Sequence, residues 1–285
     1  MSASSAVPAP RDLLGVVFDA LAEKAALPLR TMLVLGILAG LYIGFGGLFA
    51  TIALTEAGGL PYGIGQVVAG LVFAAGLGLV MIAGAGLFTG NTMMTGAVLA
   101  RQIALPQALT ALLLVFAANF AGALLLALLV YGAGLHESRD GAIGRTAVDL
   151  ARGKMESAFL ATLASGILAN MLVCLAVWSA YAGQSVTQKL AGLTLPVAAF
   201  VAAGLEHSVA NMYLLPYGWL VAASMPGQEP LALAGVVGNL VPATIGNVIG
   251  GAFIASAYWL AFAPMPAARH SRSDAPVPAD RKERS

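Results

Sequence analysis

Charge is what this sequence has least of. Only 9% of its 285 residues are Asp, Glu, Lys or Arg, against about a quarter in soluble domains, and 59% are hydrophobic. A soluble globule of this size must wet its exterior, so the composition excludes one; a lipid bilayer is the solvent that fits. Cysteine is reduced to Cys174, which excludes a disulfide framework and a cysteine metal site. A net charge of +1 without a basic stripe gives no footprint for nucleic acid. A nucleotide P-loop, an HExxH metal motif and a GxSxG elbow are all missing, and no cofactor is expected. Residues 1–30 lack the apolar core of a cleavable leader and contain Asp12, Asp19 and Glu23. Glycine, by contrast, is abundant at 34 residues, and small residues let helices in lipid approach closely.

The few charges that exist fix the layout. Uncharged stretches long enough to span a bilayer occupy about 31–54, 64–86, 108–134, 157–182, 190–221 and 231–262, six spans with the second and fifth irregular. With a cytoplasmic N-terminus, Arg11, Lys24, Arg30, Arg101, Lys189 and the tail basics Arg269, Arg272, Arg281, Lys282 and Arg284 lie inside. Only Arg139, Arg145, Arg152 and Lys154, in the loop after the third span, lie outside. Ten of fourteen basic residues on one side is the positive-inside pattern, with half of the ten in the tail. The expected organisation is a cytoplasmic segment 1–30, a six-span domain 31–262 and a mobile cytoplasmic tail 263–285.

Short strings recur in order along the two halves. Gly36-Ile37-Leu38-Ala39 returns as Gly166-Ile167-Leu168-Ala169, Ala85-Gly86-Leu87 as Ala203-Gly204-Leu205, and Asn119-Phe120-Ala121-Gly122 as Asn247-Val248-Ile249-Gly250. The offsets are 130, 118 and 128. This predicts a repeat of about 31–134 on 157–262. An odd number of spans per half inverts one half relative to the other. Inverted repeats put their site at interrupted helices near the midplane, here Leu87–Thr95 and Leu205–Asn211, a register that pairs Thr89 with His207.

Polar residues inside the spans are scarce. Glu206 is the only acidic residue in a predicted span and His207 the only histidine; His136 falls in a loop and His270 in the tail. An ionisable group in the membrane is a functional candidate, although Glu206 could equally cap backbone freed by a helix break. Histidine titrates near neutrality and can lend and recover a proton. Asn170 and Asn247 also sit within spans, where asparagine commonly bonds helix to helix. Phe73, Leu77 and Phe200 carry no local mark of a special role.

These residues resemble a known family. Leu87-Phe88-Thr89-Gly90-Asn91, Gly204-Leu205-Glu206-His207-Ser208-Val209-Ala210-Asn211-Met212-Tyr213 and Asn239 through Gly251 are similar to signatures of the formate/nitrite transporters. So are Gly166-Ile167-Leu168-Ala169-Asn170 and Val173-Cys174-Leu175-Ala176, and the likeness runs from about Pro28 to Phe262. The resemblance implies an all-α, aquaporin-like fold of two inverted three-helix repeats, assembled as a homopentamer in a bacterial inner membrane. It implies transport of small monovalent anions of weak acids: nitrite, formate or hydrosulfide. It makes His207 the central pore histidine with Thr89 beside it, and Phe73, Leu77, Leu87, Val173 and Phe200 the two apolar constrictions. Lys154 becomes an outer-vestibule lysine, and Asn170 and Asn247 pore-flanking asparagines. One position departs: the family commonly has an acidic residue before Leu-Phe-Thr, and this chain has Gly86.

The expected mechanism is proton-linked. Lys154 attracts the anion, apolar slits exclude the charged form, and protonation by or near His207 yields a neutral acid that crosses. Electrogenic flow with His207 only hydrogen-bonding is the competing scheme. Phe88-Thr89-Gly90-Asn91-Thr92-Met93 stands closer to the nitrite branch. A water or small-neutral-solute channel is the alternative of another class. An enzyme built on Glu206 and His207 would need a further catalytic group in the spans.

Overall fold

A computed structural model describes residues 7–262, which are helical throughout apart from turns. The helices are α1 (Pro10–Ala25), α2 (Leu29–Leu54), α3 (Tyr62–Ala83), α4 (Phe88–Asn91), α5 (Met94–Leu99) and α6 (Leu105–Gly132). There follow α7 (Ala142–Met155), α8 (Phe159–Ala182), α9 (Val186–Ala202), α10 (Ser208–Ser224) and α11 (Leu233–Phe262). Among the described residues α2, α3, α6, α8 and α11 are long and apolar enough to cross a membrane. The remaining expected span, 190–221, is divided into α9 and α10 of 17 residues each. The expected tail 263–285 lies outside the described residues.

The spanning helices bury one side and leave the other apolar and uncovered. Leu113, Leu160 and Leu195 are 70%, 73% and 74% exposed, an apolar exterior suited to lipid rather than to water. Between helices, glycine sets the spacing. A Cβ on Gly40 or Gly122 would collide with the backbone of Asn119 or Ile37, where α2 meets α6. Gly246 and Gly250 of α11 lie as tightly on the Leu163 and Ile167 carbonyls of α8. Dispersion across such contacts is a main attraction between helices in lipid.

Two amphipathic helices lie outside the apolar runs. In α1, Pro10 and Asp12 occupy the first turn and Lys24 the last, which suits the helix dipole. Its face Leu14, Val17, Phe18, Leu21 and Ala25 is buried, with Phe18 edge-on to Trp178 and packed on Gly96. The loop expected after the third span likewise folds into α7, whose Ala147 and Ala151 receive Gly218 of α10.

The second and fifth expected spans break in the same way. Gly84 and Gly204 adopt left-handed φ of 70° and 67°. The next amides, Ala85 and Leu205, bond back to the Val80 and Phe200 carbonyls, the hydrogen bond of a Schellman termination. The chain then runs extended to Leu87 or His207 and re-enters helix at α4 or α10.

Gly122→Ala is expected to melt lower than the parent in detergent, by the roughly 1–3 kcal/mol of an overpacked contact. Gly132→Ala, on the same helix with nothing within 4 Å of the added methyl, is expected not to. Equal melting of the two variants would show that α2–α6 spacing is not set at Gly122.

Candidate functional site

Breaking a helix at membrane depth exposes backbone groups that lipid cannot satisfy. Two asparagines take them up. Asn119 donates to the Gly36 and Gly86 carbonyls at 2.8 Å each and accepts the Phe88 N–H at 2.8 Å. Asn247 donates to the Gly166 and Glu206 carbonyls at 2.8 and 2.9 Å and accepts the Ser208 N–H at 2.8 Å. The two sets match bond for bond. They correct the sequence register by two residues: Gly86 corresponds to Glu206 and Phe88 to Ser208, so Leu87, not Thr89, corresponds to His207. The recurring Ala-Gly-Leu string misled because the equivalent glycines are Gly84 and Gly204, each with positive φ.

His207 is 2% exposed and caps α10, its Nδ1 accepting the Ala210 N–H at 3.1 Å. A backbone N–H can only donate, so this bond fixes the tautomer: the ring proton is on Nε2. That N–H donates to Thr89 Oγ1 at 2.9 Å, and the threonine hydrogen stays free for another acceptor. A proton on Nδ1 and the cap bond exclude each other. Thr89 is held in turn by its own carbonyl, which accepts from Thr92 Oγ1 at 2.6 Å and Asn170 Nδ2 at 3.2 Å, with Cys174 Sγ at 3.7 Å. Asn170 also donates to the Asn247 carbonyl. Asn170 and Asn247 therefore brace the loops that carry Thr89 and His207; neither lines the chamber described next.

Phe73, Leu77, Leu87, Val173, Phe200 and His207 all meet around one narrow chamber, together with Ile43, which sequence reading did not single out. The chamber has no room for a water-sized sphere. The Phe73 and Phe200 rings meet edge-on at 5.5 Å, and the His207 ring lies 5.6 Å from Phe200. On one side the chamber shares Phe73, Phe200 and His207 with a vestibule of about 340 Å³ that also contains Thr51, Gln66, Asp149, Lys154, Glu206 and Asn211. On the other it shares Leu87 with a small cavity lined by Lys24, Asn91 and Tyr181. Cavities thus follow one another from the α7 side to the α1 side.

Lys154 does not stand in its vestibule as a free cation. Its ammonium is 3.1 Å from Glu206 Oε1. Glu206 Oε2 accepts from Asn211 at 2.6 Å and Asn239 at 3.3 Å, and Asn239 also donates to the Lys154 carbonyl at 2.9 Å. Lys24, Asn91, Asn119, Asn211 and Asn239 were not singled out from sequence. Asn119 had a signal in the repeated string, and Asn91, Asn211 and Asn239 stand in the strings that resemble the family, whereas Lys24 had none.

Residues 12–260 match the family model described as formate/nitrite transporter. The formate channel FocA of Escherichia coli K12 is 35% identical over 270 residues, covering 88% of this chain and 94% of that one. The formate channel BtFdhC of Bacillus thuringiensis is 36% identical over 259 residues, covering 89% and 95%. A solved structure of a pentameric formate channel with formate bound superposes with a TM-score of 0.75 at 32% identity, covering 82% and 97%.

His207→Asn keeps a capping side chain but gives up the bond to Thr89, while His207→Phe loses roughly 1 kcal/mol with the cap as well. Both are expected to melt below the parent. Asn247→Leu leaves several buried backbone groups unpaired, at about 1–3 kcal/mol each, and is expected to abolish the folded peak in size-exclusion chromatography. A folded Asn247→Leu protein of parental melting temperature would refute the clamp.

Proposed function

We propose that this chain, which belongs to the formate/nitrite transporter family, is a channel for small monovalent anions of weak acids, with formate the first substrate to test. The observation that carries the reading is the chamber between the vestibule and the α1-side cavity. Every side chain lining it is apolar except His207. Moving an ion into such surroundings costs far more than moving a neutral acid, which can hydrogen-bond as it passes. The anion enters a vestibule, gains a proton, crosses Phe73/Phe200 and Leu77/Leu87/Val173 as the neutral acid, and ionises beyond.

His207 serves this route as a fixed donor rather than as the proton source. Giving up Nε2–H from the neutral ring would leave an imidazolate, and protonating Nδ1 would break the bond from Ala210 N–H. The route is the proton-linked scheme considered from sequence, with protonation near His207 rather than by it. It shares with the electrogenic scheme only a histidine that hydrogen-bonds, and the proton comes from the vestibule solution. The expected nitrite preference of Phe88–Met93 has no support among relatives such as FocA and BtFdhC, both named for formate.

The remaining architecture is proposed on the same footing. The halves are inverted repeats; support comes from the matched clamps of Asn119 and Asn247 and the matched turns at Gly84 and Gly204. Five copies assemble, a reading supported by the superposed formate channel, which is pentameric. The α1 mouth faces the cytoplasm of a bacterial inner membrane, as the distribution of basic residues favours.

In proteoliposomes, formate uptake is expected to rise as external pH falls. His207→Asn is expected to slow uptake at least tenfold while keeping that slope, a loss of about 1.4 kcal/mol or more in barrier terms. A flat pH profile in His207→Asn would return the proton relay to His207. Swelling with glycerol and no formate uptake would point to a neutral-solute channel.

A further inference from the structure

We propose that Asp149 gives the α7-side vestibule a net negative charge, which holds back bare anions there and leaves entry to the neutral acid. The inference rests on the channel reading above and adds to it a filter against anions that cannot take up a proton.

The vestibule is walled by α2, α3, α7, α9 and α10, and the first two bring only uncharged polar groups, Thr51, Tyr62 and Gln66. Its charged side chains are Asp149, Lys154 and Glu206. Lys154 is taken by Glu206 at 3.1 Å, so that pair adds no net charge. His207 adds none either, since its Nδ1 accepts the Ala210 N–H. Asp149 therefore decides the sign.

Asp149 stays unpaired although α7 carries three cations. Arg145, four residues before it, and Arg152, three after, hold positions from which an arginine can pair with an aspartate on a helix surface. Both are turned elsewhere. Arg145 donates to the Asp140 carbonyl and Arg152 to the Glu229 carbonyl, each at 2.9 Å. Among the described residues the ion pairs are His136–Glu137, Arg139–Glu56 and Lys154–Glu206, so none includes Asp149. Its carboxylate is exposed on the vestibule wall beside Leu150 and Gly153. The rim does not offset it. Outside the vestibule the same face carries Glu56, Glu137, Asp140, Glu156 and Glu229 against Arg139, Arg145 and Arg152.

A fixed charge in a recess with low-dielectric walls acts more strongly than on an open surface, and salt screens it. It lowers the local concentration of every monovalent anion and raises that of protons by the same factor. The product of the two stays at its bulk value, and with it the concentration of neutral acid. Formic acid is therefore no scarcer in the vestibule than outside, whereas nitrate, which stays ionised, is depleted. Discrimination against the bare ion thus begins before Phe73 and Phe200, and the apolar chamber completes it.

The test reads the vestibule's charge directly. Cys174 is buried, so a cysteine introduced by Ser157→Cys, at a position that lines the vestibule, is the thiol that reacts. The purified full-length variant is labelled with a cationic trimethylammonium-ethyl or an anionic sulfonatoethyl methanethiosulfonate, each rate taken relative to free cysteine. At low salt the cationic reagent is expected to react about tenfold faster, and Asp149→Asn to cut that preference at least threefold. Asp140→Asn, on the same face but lining another cavity, is expected to keep it. In proteoliposomes with the α7 mouth outward, nitrate is expected to inhibit formate uptake at about threefold lower concentration in Asp149→Asn than in the parent. Equal reaction of the two reagents, a preference that survives Asp149→Asn, or equal inhibition by nitrate would overturn the proposal. A cationic preference that Asp149→Asn removes, in vesicles that take up no formate, would leave the vestibule's charge standing and refute the channel reading instead.

Discussion

A helix interrupted inside a bilayer leaves carbonyls and amides that lipid cannot satisfy, and everything else in this protein depends on how those groups are met. Asn119 and Asn247 meet them, each with two donated bonds and one accepted. The amide side chain suits the task because it offers donors and an acceptor without a charge. Once both breaks are clamped, Leu87 and His207 are delivered to the same narrow chamber from different halves of the chain. The glycines along α2–α6 and α8–α11 serve the same end, since each asparagine can reach across only where backbones nearly touch.

The same clamps explain why one polar ring suffices among apolar walls. His207 is both the cap of α10 and a lining residue of the chamber. Because Nδ1 is committed to the cap, Nε2–H is committed to donating, and Thr89 relays that polarity. Three donors on the Thr89 carbonyl keep the relay in place. The two mouths differ for a simpler reason. A carboxylate at position 206 neutralises Lys154, whereas the counterpart of position 206 in the first half is a glycine, Gly86.

Much of the architecture was legible from residue type alone. Five long helices fall on the uncharged runs, and the irregularity expected in 64–86 and 190–221 is where the breaks occur. The exact points of interruption were not legible, because Gly84 and Gly204 are two glycines among 34 and only their φ marks them. The helices α1 and α7 escaped a search for apolar runs; the spacing of Leu14, Val17, Phe18 and Leu21 would have revealed α1. The roles of Phe73, Leu77, Leu87, Val173 and Phe200 came from resemblance, since composition cannot distinguish a slit from a core. The Lys154–Glu206 pair joins residues 52 positions apart, and no local pattern brings them together.

The central claim is that the solute crosses the chamber uncharged. Formate uptake into proteoliposomes under a fixed pH gradient, with and without valinomycin and potassium to clamp the membrane potential, tests it most directly. If formate crosses with its proton, no net charge moves and the clamp leaves the initial rate unchanged. Uptake that stalls without valinomycin and resumes with it would mean that the bare anion passes His207, contradicting the claim.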